Sequence, residues 1–153
     1  MSALLQIYDT TLRDGAQMEG ISLSVDDKLK ITKLLDELGV DFVEGGWPGA
    51  NPKDGEFFKK VKDLDLKNVK IVAFGSTRRA NSKAESDTVL NALIQANTEY
   101  ITIVGKTWDM HVDIALNVTK EENIKMILES IEYLKIKKKK VFLMRNITLI
   151  VLN

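Results

Sequence analysis

The chain has 153 residues, 44% of them hydrophobic, which is enough for one ordinary domain with a buried core. Its 22 basic and 22 acidic residues cancel, so no large field of one sign favours nucleic acid or an anionic membrane as a partner. The absence of cysteine excludes a disulfide framework and a thiolate nucleophile. No apolar run is long enough to span a bilayer, and the N-terminus lacks a basic region followed by a long apolar one. We therefore expect a cytoplasmic protein that acts on small molecules.

Short apolar runs alternate with helical patterns along the chain. Four of these runs predict strands: Leu4–Tyr8, Val40–Val43, Val69–Phe74 and Tyr100–Val104. Strands that alternate with helices are typical of βαβ units and a parallel sheet. The predicted fold class is therefore α/β.

The first two helices carry clear start signals. Ser24 is predicted to cap the first helix and Gly39 to end it. The second helix begins at Asn51 and Pro52, because proline suits a first helical position. The apolar stripes predicted to face the core are Val25, Leu29, Leu34, Leu35 and Leu38 in the first helix and Phe57, Phe58 and Val61 in the second.

Two further helices complete the pattern. The third is predicted over Asp87–Ala96, and the fourth starts at Thr119 with Glu122 three residues later, the spacing of a capping box. The run Lys135–Lys140 is interpreted as a solvated helix end rather than a binding patch. Four βα units and the start of a fifth strand make about half of an eight-stranded barrel, which needs ~250 residues. The prediction is an incomplete TIM (β/α)8 barrel whose last strand has an open edge that invites pairing with another chain.

An Arg-Asp pair follows the first predicted strand, where catalytic groups of a β/α barrel lie. Asp14 offers a hard oxygen ligand for a divalent cation, and Arg13 offers a planar cation that could polarise a carbonyl or hold a carboxylate. Together they indicate metal-assisted carbonyl chemistry. Taken without their neighbours, an arginine and an aspartate in a loop more often form a surface ion pair.

The surrounding residues resemble a known family. The blocks that carry the resemblance are Asp9–Gln17, Glu44–Asp54, Ala73–Arg79 and Gly105–His111. They resemble the isopropylmalate and homocitrate synthase family of metal-dependent barrels, and the second and third blocks resemble its citramalate synthase branch in particular. The resemblance runs from about Leu4 to Phe142 without a visible gap.

This resemblance implies an acyltransferase in isoleucine and branched-chain amino-acid biosynthesis. Mg²⁺ or Mn²⁺ would hold the oxygens of a 2-oxo acid while the enolate of acetyl-CoA, the co-substrate, attacks the keto carbon. In the citramalate branch the oxo acid is pyruvate; isopropylmalate or homocitrate synthase is the near alternative, and a carbon-carbon lyase is a weaker one. The full-length family is expected to form a homodimer.

The resemblance also implies roles for residues of the first two blocks. Asp14 matches the metal-binding aspartate, and Arg13 matches the arginine whose charge stabilises the developing alkoxide. Gln17 would orient the oxo acid or the metal. Glu44 is expected to act in catalysis and substrate binding, although it could equally stabilise a loop by accepting backbone hydrogen bonds.

Thr77 and Arg78, after the third strand, are expected to hold a substrate carboxylate. The alternative is a loop-capping threonine beside a surface arginine. His111 is the only histidine, so the chain cannot supply the two histidine ligands that the family takes from a later strand. The metal site is therefore expected to be incomplete, and a catalytically silent half barrel that pairs with another chain stays an alternative.

The resemblance stops after Phe142, which divides the chain into residues 1–142, the N-terminal half of the catalytic domain, and residues 143–153. Suppose Leu143 and Leu149 are encoded TTG and Leu152 TTA. Reading from the last base of the Leu143 codon, with allowed third bases, then spells Asp-Ala-Glu-His-Tyr-Phe-Asp-Cys-Phe-Lys, which resembles the family's next block. We expect residues 143–153 to be a frameshifted tail that truncates a longer synthase.

Overall fold

In the computed structural model, one six-stranded sheet carries four helices; residues 5–145 are described, together with the backbone of 148–152. The strands, in the order in which they pair, are β1 (Tyr8–Asp9), β2 (Phe42–Gly46), β3 (Lys70–Ser76), β4 (Tyr100–Gly105), β5 (Lys140–Arg145) and β6 (Thr148–Leu152). The helices are α1 (Val25–Glu37), α2 (Pro52–Lys60), α3 (Thr88–Gln95) and α4 (Lys120–Ile136). Each of β1 to β4 is thus followed by one α-helix, and a short π-helix (His111–Leu116) lies between β4 and α4.

Strands β1 to β5 are all parallel, which confirms the α/β fold and the partial (β/α)8 barrel. The first strand begins at Tyr8, later than predicted, and Leu4 lies outside the described residues. Strand β6 pairs antiparallel with β5, from Val141 opposite Leu152 to Arg145 opposite Thr148. The prediction of an open β5 edge is therefore wrong, because the backbone of the tail supplies its hydrogen-bonding partner.

The two faces of the sheet have different cores. Odd-numbered strand residues, such as Val43, Ala73 and Ile101, pack outward against the helices in the main apolar cluster. Even-numbered ones, including Phe42, Val72 and Phe142, form a second cluster on the inner face. The ring of Tyr8 in β1 lies 5.5 Å from that of Phe142 in β5. The sheet therefore curls until side chains of its first and fifth strands meet, and aromatic rings cover part of its inner face.

Helix α1 begins as predicted, and Val25, Leu29 and Leu35 of its predicted stripe pack against the main apolar cluster, but the rest of that stripe does not. Ser24 accepts a hydrogen bond from the Asp27 amide, and the Asp27 carboxylate accepts one from the Ser24 amide, which completes a capping box. Leu34 and Leu38, predicted to face the core, are 63% and 77% exposed. That part of the predicted stripe is wrong.

Three polar residues spaced four apart are also buried on α1. Lys28, Thr32 and Asp36 are each less than 9% exposed. The Thr32 hydroxyl donates to the Lys28 carbonyl, and the Asp36 carboxylate accepts from the backbone amides of residues 67–69. A polar group can be buried when its hydrogen bonds are satisfied, and the apolar pattern of the sequence does not reveal such partners.

We predict that Asp36→Asn lowers stability at neutral pH and that the loss shrinks in acid. Hydrogen bonds from the Lys67, Val69 and Asn68 amides hold the pKa of Asp36 below its usual range. A depressed pKa contributes stability above the unfolded value, and this stability is lost as pH falls through the folded value. Urea unfolding midpoints from pH 7 to pH 3 test this, with exposed Asp65→Asn as control. A difference in urea midpoint between Asp36→Asn and the parent that stays the same at every pH contradicts this prediction.

The other helix starts are confirmed, with one difference at α4. Asn51 and Thr119 each accept a hydrogen bond from a first-turn amide of the helix that follows. The Glu122 carboxylate, however, pairs with Arg78 at 2.9 Å. The predicted capping box at Thr119 is therefore only half present, because a buried arginine offers that carboxylate a charged partner.

The lysine run does not form a single helix end. Helix α4 stops at Ile136. The Lys139 ammonium donates to the Thr98 carbonyl at 2.7 Å, and Lys140 opens β5 beside Glu99. Among the described residues, no helix is both long and apolar enough to cross a membrane.

Candidate active site

A buried polar cluster lies at the end of β1, facing the inside of the curled sheet. The turn that holds Arg13 and Asp14 is fixed because the Thr10 carbonyl accepts hydrogen bonds from both of their amides, at 3.1 and 2.8 Å. The Asp9 carboxylate also accepts from the amide and hydroxyl of Thr11, which tightens the same turn. Asp9 thus fixes the backbone that presents the two charged side chains.

Glu44 is the centre of this cluster and is completely buried. One carboxylate oxygen accepts from Arg13 Nε at 2.6 Å, and the other accepts from the Tyr8 hydroxyl at 2.7 Å. The Tyr8 oxygen also lies 2.6 Å from Thr102 Oγ1. Because the Tyr8 hydroxyl donates its one proton to the Glu44 carboxylate, the Thr102 hydroxyl must donate to the Tyr8 oxygen. The cluster is a satisfied network that joins β1, β2 and β4.

Burial controls the protonation of this network. Loss of solvent raises the pKa of Glu44, and the Arg13 charge is the largest effect in the opposite direction. Burial, together with the Glu44 charge, also raises the pKa of Tyr8 well above its ordinary value. Tyr8 therefore stays protonated and remains a hydrogen-bond donor throughout the physiological range.

Arg13 connects this buried network to solvent. Its Nη1 donates to the Asp14 carboxylate at 2.8 Å, and Asp14 has a side chain that is 62% exposed. The guanidinium carbon lies 4.0 Å from the centre of the Phe74 ring, a cation–π distance. With one side on Glu44 and one face on Phe74, Arg13 holds a fixed positive charge at the mouth of the half barrel.

Gln17 and Trp47 lie on the other side of this mouth. Both line a cavity of about 320 Å³ between the turn after β1 and the loop after β2, and Arg13 lines it as well. The Trp47 ring packs edge-on against Phe74, with ring centres 5.8 Å apart. The cavity therefore adjoins the charged end of Arg13.

Arg78 and Thr77 occupy a different region. Both are buried, but Arg78 faces α4, where its Nε and Nη1 pair with Glu129 and Glu122 at 2.7 and 2.9 Å. Burial alone would lower the pKa of Arg78, but these two carboxylates outweigh it and raise the pKa. The backbone amide of Arg78 also donates to the Ser130 hydroxyl. The structure thus brings Arg13, Asp14 and Glu44 together and places Gln17 on the cavity that Arg13 lines, whereas Arg78 lies against a helix on the outer side of the sheet.

The residues present do not complete a divalent-metal site. In the part of the chain that the structure describes, no three His, Cys, Asp or Glu side chains are grouped to hold a metal ion. Asp14 pairs with Arg13, and both oxygens of Glu44 are already bound to protein donors. The ring of His111, which begins the short helix between β4 and α4, packs against Trp108. Asp14 is therefore the single carboxylate of this cluster that a metal could reach.

Sequence reasoning missed Tyr8, Thr102 and Phe74. Each lies in an apolar run predicted as a strand, and none was assigned a role in the site. The period of two along each strand could have identified them, because residues two apart in a strand lie on the same face of the sheet. Had Tyr8 and Thr102 been assigned to the inner face, their hydroxyls would have marked two polar groups on a surface of aromatic rings.

Comparisons with known proteins agree on one family. A family model described as HMGL-like matches residues 4–147. An (R)-citramalate synthase of Aquifex aeolicus is 55% identical over 135 residues, which are 88% of this chain and 26% of that protein. A probable 2-isopropylmalate synthase of Archaeoglobus fulgidus is 35% identical over 138 residues, again 88% of this chain and 26% of that protein. The chain spans about a quarter of the length of these curated relatives.

A solved structure gives the same fold. A hydroxymethylglutaryl-CoA lyase from Pseudomonas aeruginosa superimposes with a TM-score of 0.70, covering 92% of this chain and 45% of that one. Its sequence is 16% identical, so this likeness concerns the fold alone. Roughly half of a barrel of this type is therefore present here.

Proposed function

This chain belongs to the HMGL-like family, and we propose that it is the N-terminal part of a citramalate synthase-type acyltransferase that condenses acetyl-CoA with pyruvate. Over nearly equal lengths it is 55% identical to a citramalate synthase and 35% identical to a probable isopropylmalate synthase, which supports pyruvate over larger oxo acids. The observation that carries the proposal is the buried Arg13–Glu44 pair, since it fixes the Arg13 guanidinium beside the cavity that Arg13 lines.

In this proposal Arg13 binds the oxo acid and stabilises the product oxygen. The acetyl methyl carbon loses a proton and bonds to the keto carbon of pyruvate, whose oxygen becomes an alkoxide and then takes a proton. Hydrolysis of the thioester by water then releases CoA. Arg13, held in place before the reaction, favours the alkoxide without reorganisation. Gln17 orients the oxo acid, and Glu44, which solvent does not reach, contributes by holding Arg13.

Asp14 is the proposed contact to the family's Mg²⁺ or Mn²⁺, which would hold the substrate oxygens. One carboxylate holds such an ion weakly, so the remaining ligands must come from outside the described residues. We therefore expect no turnover by this chain without a complementing part of the barrel. For Thr77 and Arg78, the contacts of Arg78 with α4 favour a role in stabilising the loop after β3.

A second candidate function is a silent half barrel that pairs with another chain. It is favoured by the incomplete metal site and by β1, which is hydrogen-bonded to β2 and forms one edge of the described sheet. The homodimer expected for the full-length family belongs with this proposal. Turnover after mixing with a complementing fragment distinguishes it from the first candidate.

For the tail we propose that residues 143–153 arise from a frameshift after an N-terminal half barrel of residues 1–142. The antiparallel β6 supports this, because a barrel of this type continues with a parallel strand at that edge. Resequencing the gene through the Leu143 codon tests it. Different codons there, or a downstream frame without family features, would rule it out.

Trp47 offers a direct test of oxo-acid binding. Of the two tryptophans, Trp108 is removed by Trp108→Phe, so that emission reports on Trp47 beside Phe74 and Arg13. With Mg²⁺ present, pyruvate is expected to change this emission saturably, and 2-oxoisovalerate to bind roughly tenfold more weakly because of its two additional methyl groups. Arg13→Met should abolish the response, whereas exposed Glu56→Gln should not. An equal response to pyruvate in Arg13→Met would overturn the assignment.

A further inference from the structure

A second buried ion pair lies behind the site and is not part of the proposed chemistry. Lys28, in the first turn of α1, bonds to the carboxylate of Asp54, in the first turn of α2, and the two residues are 5% and 7% exposed. Lys28 Nζ also donates to the Gly45 carbonyl at 3.0 Å. Asp54 Oδ2 accepts from the Trp47 amide at 2.8 Å. The pair thus binds the backbone on both sides of Gly46.

The backbone at Gly46 is irregular and closely packed. Pairing between β2 and β3 shifts register between Glu44 and Gly46, which marks a β-bulge. Gly46 has φ +141°, and a Cβ added there would lie 2.4 Å from the Asp54 carboxyl carbon. The Asp54 carboxylate therefore fills the space that a side chain at Gly46 would need.

This bulge separates two residues of the candidate site. Glu44 precedes it and binds Arg13, whereas Trp47 follows it and packs against Phe74. Phe74 in turn carries the Arg13 guanidinium on its face. A change in the bulge would therefore move both supports of Arg13 at once.

We infer that Lys28 and Asp54 are positioning residues that lock the bulge after Glu44 and so set Trp47 and Arg13 for binding an anionic substrate. A buried ion pair contributes little net stability compared with apolar packing, so stability alone is a weak reason for placing one here. Its two hydrogen bonds with the backbone, to the Gly45 carbonyl and from the Trp47 amide, instead fix one backbone geometry. The effect on substrate rests on the proposed function, whereas the effect on the bulge does not.

The test uses Asp54→Asn and Lys28→Met in the Trp108→Phe background. Each is expected to move Trp47 emission to longer wavelength, to increase its quenching by acrylamide and to weaken pyruvate binding about tenfold or more. Glu56→Gln, which breaks the exposed Glu56–Lys60 pair of α2, is the matched control and should change none of these. Folded variants with parental Trp47 emission and parental pyruvate affinity overturn the inference.

Amide hydrogen exchange in the unmodified chain keeps the inference testable if a variant does not fold. The Trp47 amide is expected to exchange far more slowly than an exposed amide without a hydrogen bond, because Asp54 accepts from it in a buried position. Exchange at the unprotected rate overturns the inference. Shifted Trp47 emission in Asp54→Asn, with no pyruvate response in the parent, supports the positioning role and rejects the proposed function.

Discussion

Arg13→Met is expected to lower the free energy of unfolding by about 3–5 kcal/mol at neutral pH, the usual effect of removing one partner of a buried ion pair. Glu44 is completely buried, and after the substitution its charge would be left with the Tyr8 hydroxyl as its partner in the cluster. Methionine keeps much of the arginine's volume, so the contact with Phe74 is partly retained. Urea unfolding at pH 7 measures the loss.

The pH dependence of that loss has a defined sign. Burial already raises the pKa of Glu44, and removing Arg13 removes the largest opposing effect. A carboxyl with a raised folded pKa destabilises the fold as pH rises above the unfolded value, because the folded state then resists ionisation. The difference in unfolding free energy between Arg13→Met and the parent should therefore shrink as pH falls toward the ordinary pKa of glutamate.

A double variant separates the lost pair from lost packing. Arg13→Met with Glu44→Leu removes both charges, and most of the stability lost in the single variant should return, since apolar replacement of a buried pair is often neutral or stabilising. Tyr8 keeps its contact with Thr102 in this variant. A double variant no more stable than Arg13→Met would show that the charge left on Glu44 is not the cause.

Local signals predicted the elements of this fold well. Ser24, Asn51 and Thr119 are helix caps whose effect depends on amides two or three residues away, and each is found where expected. The apolar runs predicted four of the five parallel strands, because a strand covered on its outer face by helices is apolar over most of its length. Information of this kind lies within one turn or one strand of the chain.

Contacts between distant residues were not predictable in the same way. Leu34 and Leu38 fit a helical stripe, but the side of α1 that faces the core carries Lys28 and Asp36, whose partners come from α2 and the loop before β3. Arg78 likewise lies against α4, about fifty residues later in the chain. The pairing of β6 with β5 is likewise a contact between strands, and it required an edge of β5 that no other described strand occupies.

The candidate site combines both kinds of information. Arg13 and Asp14 were recognised because they follow the first predicted strand, and Glu44 because it begins a block that resembles the family. What holds them is non-local: the hydroxyls of Tyr8 and Thr102 meet across the curled sheet, 94 residues apart in the chain. The candidate residues were therefore visible in the sequence, whereas the hydrogen-bond network around them became visible only in the fold.

Phe57→Ala is expected to cost about 3–5 kcal/mol of unfolding free energy, because the ring is completely buried in the main apolar cluster. The exposed Leu38→Ala is the matched control and should change stability by less than about 0.5 kcal/mol. Chemical unfolding of the two variants compares a core residue directly with one that the sequence wrongly placed in the core. Equal losses of unfolding free energy in the two variants would contradict the finding that Phe57 is buried and Leu38 exposed.

Gly45 tests the same packing from the opposite side. A Cβ at Gly45 would lie 2.4 Å from the Phe57 ring, so Gly45→Ala alone should overpack the core and cost about 1–3 kcal/mol. Once Phe57 is alanine, that clash disappears and the added methyl group fills part of the cavity. The double variant should therefore lose less than the sum of the single losses, by about 0.5–3 kcal/mol. Strict additivity would mean that the ring does not press on the backbone that follows Glu44.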